Sequence, residues 1–230
     1  MITVERPLGA WLWYHVLSHV NLGRDAANLW VPHRAPPWWV EDVELPLHPM
    51  AQFEPLFCSD FEHLEQQCGT LAMGFSLEAV AVAAEWTADE PAARHARFET
   101  EVVPELRQAR VALWGGNAPP LAVLDVPALR GHARAATRAD GTRVVATSLA
   151  EPSEHLLCQV LHEEMHPHTD PIVLQALGPT LSQRETQVGT AGWVLHQALE
   201  TAAIEGGRQI IARVLPHRIE AYARWCARLT

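Results

Sequence analysis

The chain has 230 residues, with 17 basic and 27 acidic side chains and a net charge near -10 at neutral pH. All of the basic residues counted there are Arg, and the absence of Lys removes the phosphate-gripping Lys of a P-loop, the Schiff-base Lys of a pyridoxal enzyme and the strand Lys of a protein kinase. The acidic balance leaves no positive stripe to displace counterions, so nucleic acid is not an expected partner, and 48% apolar with 19% charged residues describes a soluble globule.

In chain order, residues 7–20 put Leu8, Trp11, Leu12, His15, Val16 and His19 at helical spacing. His15 and His19 lie four apart, but the apolar side chains around them point to a core role. Between 32 and 55 six prolines exclude long regular elements, and Trp38 and Trp39 are expected to pin an ordered connection. Residues 60–86 read as one or two helices interrupted near Gly69 and Gly74. A further helix, capped by Asp89 with Pro91 in its first turn, runs toward Val111 with a break expected at Pro104. The period then changes. Residues 121–126 form a short apolar run, and 130–137 with 142–149 flank Ala139-Asp140-Gly141, a hairpin turn signal. The last third returns to helix, at about 153–166 and again over 191–229 with breaks at Gly206-Gly207 and Pro216.

This pattern predicts one α+β domain over 1–230. Its half over 1–115 is mainly helical, and 116–230 holds the hairpin, the helix that starts near Ser153 and the C-terminal helices, with a small antiparallel sheet beside the 153–166 helix. The cysteines Cys58, Cys68, Cys158 and Cys226 form no C-x-x-C pair, which argues against a zinc ribbon or a redox motif, and a chain of this size needs no disulfide framework. The N-terminal stretch lacks the basic and apolar regions of a signal peptide, and no apolar run reaches membrane-spanning length. A cytoplasmic protein without a membrane partner is expected.

With 13 His in the chain, metal sites are the first chemistry to search for. The segment 153–166 contains His162-Glu163-x-x-His166, an H-E-x-x-H pattern. Random placement at this composition gives the pattern about 0.06 times per chain. On a helix, positions four apart share a face, so both imidazoles can reach one ion, while Glu163 can take a proton from a water held there. Ser153 can cap this helix, and Leu156, Leu157, Val160 and Leu161 supply its buried side. Pro167 follows the second His and biases it away from helical geometry, so the helix is expected to end or kink there. A catalytic zinc takes three protein groups. Glu200, with His196 one turn before it, is the first choice for the third. Asp170 is the second, because an extended chain after Pro167 would point His166, His168 and Asp170 to one side. Glu205 is the third. Cys158 shares the i, i+4, i+8 stripe of the two histidines, although a buried Cys there is more often core.

On these residues the sequence resembles the zincin metallopeptidases, specifically the gluzincin arrangement, over about 130–206. That resemblance implies a small sheet beside an active-site helix carrying H-E-x-x-H, and a later helix supplying Glu. It implies His162 and His166 as zinc ligands, Glu163 as the catalytic base of a peptidase, and a peptide or protein as substrate. Transition-state support is expected from His196, His217 or Tyr222.

Two other readings use the same residues. The first is a non-catalytic metal-binding or interaction protein. The second is an Fe(II)/2-oxoglutarate oxygenase. It would use His168-Thr169-Asp170 as an H-x-D pair with His217 as distal His and Arg224 as co-substrate partner, or use the H-E-x-x-H histidines themselves with iron in place of zinc.

Overall fold

Short β-branched and apolar runs make the strands, and the computed structural model describes residues 1–19, 53–58, 60–68, 82–177 and 191–228. The expected connection with Trp38 and Trp39 falls mostly outside these residues, as do Gly69 and Gly74. The described elements are β1 (Ile2–Glu5), α1 (Leu8–His19), α2 (Glu54–Phe57), α3 (Phe61–Cys68), α4 (82–88), α5 (Ala92–Arg97) and α6 (Val103–Trp114). They continue with β2 (Leu121–Asp125), β3 (Ala133–Thr137), β4 (Arg143–Thr147), α7 (Ser153–Leu177), α8 (Ala191–Val214) and α9 (Ile219–Cys226). The helix-rich α+β expectation holds. Contacts divide the chain into two compact units, each made of two separate stretches: 1–96 with 119–151, and 97–118 with 152–230.

The first unit carries the sheet, whose described strands run in the order β1-β2-β4-β3. The expected antiparallel sheet is a mixed one. β2 pairs parallel with both β1 and β4, and only the β3–β4 hairpin is antiparallel. The reason is connection length: parallel neighbours need a long crossover, and the more than one hundred residues between β1 and β2, with α1 to α6 among their described elements, provide one. The hairpin closes as the turn residues dictate. Gly141 takes a φ of +84°, open to glycine, and Asp140 Oδ1 accepts the Thr142 backbone N–H at 2.9 Å. Every residue of β2 and β4 is buried. Trp11, Leu12, Trp13 and Tyr14 of α1 form one core with Leu56, Leu64, Ala122, Leu124, Val144 and Ala146. His15 is fully buried, as its apolar surroundings imply.

The second unit is helical. Its core includes Phe98, Leu106, Leu156, Val160, Leu161, Leu195, Ala203, Ile211 and Trp225. Pro104 does not break the helix as expected. Residues Phe98–Val102 instead form a π turn leading into α6, in which the Val103 N–H reaches back to the Phe98 carbonyl. A proline has no N–H for the carbonyl four residues back, and widening the preceding turn lets the helix continue. Pro167 and Pro171 likewise sit inside α7, which runs unbroken to Leu177, so the expected end at His166 is corrected. Gly206 and Gly207 lie within α8, while the break expected at Pro216 is present between α8 and α9.

Candidate metal centre

Two helices of the second unit build the site. On α7 the sequence buries Leu156, Leu157, Val160 and Leu161, as their spacing predicts, and this fixes which way the histidine face turns. Ser153 at its start donates its hydroxyl to Glu101 at 2.6 Å. Glu164, next to the proposed base, is fully buried. It accepts Arg110 Nε at 2.7 Å and Trp114 Nε1 at 3.1 Å, both from α6. A buried carboxylate needs such hydrogen-bond donors, and the pair anchors α7 one residue past Glu163.

His162, His166 and Glu200 converge. Their donor atoms all lie within 4.8 Å of one another, the one such group among the described residues. His162 Nε2 is 3.0 Å from Glu200 Oε2 and 3.3 Å from His166 Nε2, and His166 Nε2 is 3.8 Å from Glu200 Oε1. Four ligands held tetrahedrally at about 2.0–2.1 Å from zinc would stand about 3.3–3.4 Å apart. The observed spacings bracket that value, and two imidazoles with one carboxylate are a zinc donor set. The residues fit the ion.

The ligand candidates differ in how they are held. His162 is 6% exposed, its ring meets the edge of Trp225 at 5.5 Å between centroids, and its buried Nδ1 makes no hydrogen bond. Its orientation therefore comes from aromatic packing and from the Nε2 contact with Glu200 at 3.0 Å. His166 Nδ1 is 2.9 Å from Asp170 Oδ1, one turn along the same helix. Burial disfavours the charged His166 ring. The Asp170 hydrogen bond and the charges of Glu163, Glu200 and Asp170 outweigh it and raise the pKa to about 9. Burial would raise the Glu200 carboxyl, yet the hydrogen bond from His162 and the charges of His162, His166 and His196 pull it down to about 2. Glu163 is half-buried and near enough to His166 to act on its charge.

Glu200, the first choice for a third ligand, is the one that joins the histidines. Asp170 faces the far nitrogen of His166 and lies outside the three-residue group. The alternative ligands His168 and Asp170 do not converge, because on a continuous helix residues two apart point about 200° apart. The His168 ring packs edge-on against Trp114, at 4.2 Å between centroids. His217 pairs with Glu105 at 3.0 Å, and Arg224 lies 3.8 Å from Glu154, so the H-x-D constellation is not assembled. Glu205 bonds Arg208 and Gln209 instead. Cys158 is core: burial first, then the nearby Cys226 and Glu154, push its thiol up to about 12. His196 stands at the rim, largely exposed, with Nδ1 3.8 Å from Glu200 Oε1. Tyr222 is buried and donates its hydroxyl to the Ile204 carbonyl at 3.0 Å.

Sequence reasoning missed Arg110 and Trp114 as partners of Glu164, and Trp225 as the packing partner of His162. None of these leaves a local signal, since each lies at least 50 residues away in the chain. The His166–Asp170 contact did have one, the i, i+4 spacing, but only for a helix that continues through Pro167. No protein-family model, curated protein or solved structure matches this chain.

Proposed function

We propose that the chain is a zinc-dependent hydrolase of peptide bonds, with a zincin-like order of sheet, H-E-x-x-H helix and later Glu helix, and a peptide or protein as substrate. One observation carries this reading: the convergence of His162, His166 and Glu200 with Glu163 adjacent in the chain. These three side chains would hold the ion, which when bound supplies a Lewis acid and makes water a nucleophile at neutral pH. Glu163 takes the proton from the attacking water and passes it to the leaving amine. It is rotated about 100° from His162 around the helix, which suits a base better than a third donor on the imidazole face. His196, exposed at the rim, is the group best placed to meet a substrate oxygen. A cytoplasmic setting suits the free thiols Cys58, Cys158 and Cys226. Among the described residues no helix is long and apolar enough to cross a membrane.

The same donor set, two imidazoles and one carboxylate, also suits Fe(II). Elemental analysis after metal-replete purification separates the readings. About one equivalent of zinc, with peptide cleavage lost in Glu163→Gln, is the expected result. Iron with 2-oxoglutarate turnover would replace the hydrolase by an oxygenase, and less than about a tenth of an equivalent of any metal would leave an interaction protein.

A further inference from the structure

We propose that Asp170 is a positioning residue for this site: it holds the His166 ring so that Nε2, and not Nδ1, faces His162 and Glu200. The inference rests on the reading that His166 Nε2 is a metal donor. His166 presents its two nitrogens to different neighbours, with Nδ1 2.9 Å from Asp170 Oδ1 and Nε2 3.3 Å from His162 Nε2. A carboxylate accepts and cannot donate, so Nδ1 carries the proton and the lone pair of the neutral ring is left on Nε2. Metal-binding histidines are commonly fixed in this way by an outer carboxylate.

The unbroken course of α7 is what makes the contact. Had the helix ended at Pro167, residue 170 would not stand one turn from residue 166. Pro167 and Pro171 have no N–H to give the carbonyls of Glu163 and Pro167, so this part of the helix lacks two of its backbone bonds. The His166–Asp170 bond spans that weakened turn. A purely structural alternative follows: the pair staples the helix and has nothing to do with the ion. The Thr169 hydroxyl lies 3.5 Å from the same Asp170 oxygen but closer to the Met165 carbonyl, at 3.1 Å, so the shorter 2.9 Å contact of that oxygen is the one with the His166 ring.

The test uses the full chain with Asp170→Asn and Asp170→Ala. In metal-free protein, nitrogen NMR of the His166 ring is recorded above the pH at which the ring becomes neutral. Wild type and Asp170→Asn, whose amide oxygen can still accept, should keep the proton on Nδ1, and Asp170→Ala should lose that preference. Zinc affinity, measured by competition with a chromogenic chelator, should weaken about 10- to 100-fold in Asp170→Ala and less in Asp170→Asn. An unchanged tautomer in folded Asp170→Ala overturns the proposal, and so does a wild-type affinity. Equal loss of thermal stability in both variants, with tautomer and zinc affinity unmoved, would assign the pair to the helix alone. Failure of the wild-type chain to bind zinc would overturn the metal reading instead, and the NMR comparison would still decide what Asp170 does to the ring.

Discussion

At the scale of single residues, ligand and base should come apart under substitution. Glu163→Gln keeps size and hydrogen bonding but is a much poorer proton acceptor, so zinc content should stay near wild type while turnover falls by roughly 10² or more. His162→Ala, His166→Ala and Glu200→Ala each remove a direct bond and should lose the metal, read by elemental analysis. Retention of metal in Glu200→Ala would remove it as third ligand. Glu164 shows how differently a neighbouring carboxylate behaves. It is fully buried against Arg110, so Glu164→Gln breaks a buried ion pair by removing one of its charges and should cost about 3 kcal/mol in urea unfolding. Sequence alone distinguishes Glu163 from Glu164 only by the motif. The burial that sets their roles comes from Arg110 and Trp114, contributed by another helix.

At the scale of elements, legibility depended on whether the signal was local. The β3–β4 hairpin was readable because Asp140 and Gly141 specify its turn, and β2 because four apolar residues, Leu121 to Leu124, run together. β1 was not, since Ile2–Glu5 is four residues long with no turn residue at its start. Proline and glycine misled most. Pro104, Pro167 and Gly206-Gly207 all suggested ends, yet the π turn over Phe98–Val102 carries the chain past Pro104, and α7 and α8 run on through the other two. Gly207 has a reason to be glycine: a Cβ there would run into the Tyr222 ring and hydroxyl, which are buried and bonded to Ile204. Alanine normally favours a helix over glycine. Gly207→Ala should nevertheless destabilise by about 1–3 kcal/mol because the Tyr222 ring must shift, measurable as a lower urea midpoint.

At the scale of the whole molecule, the parallel pairing of β1 with β2 joins segments more than a hundred residues apart, and no periodicity encodes such a partner. Charge at this scale is easier to read, and it sets the response to acid. The chain carries 27 acidic groups against 17 Arg and 13 His, with a sequence pI of about 5.7. Net charge therefore passes through zero on mild acidification, and below that the arginines and protonated histidines are progressively unopposed. Carboxylates with depressed folded pKa values decide where stability is lost. Burial would raise the Glu105 carboxyl, but Arg218, bonded to it at 2.8 Å, and His217 hold it below its usual value of about 4.5. Asp89 is held low by its hydrogen bond with Arg94, against the opposing effect of burial. For such groups the unfolded chain takes up the proton first as pH falls. The stabilisation is thus present above the unfolded value and lost as pH drops through the folded one. Glu105→Gln should cost about 1 kcal/mol at neutral pH. The gap from wild type should close as pH falls below about 4.5, because both proteins then lack the charged carboxylate. Urea midpoints measured across that range check this, and a gap that is constant with pH would assign the effect to packing rather than to the Glu105–Arg218 pair.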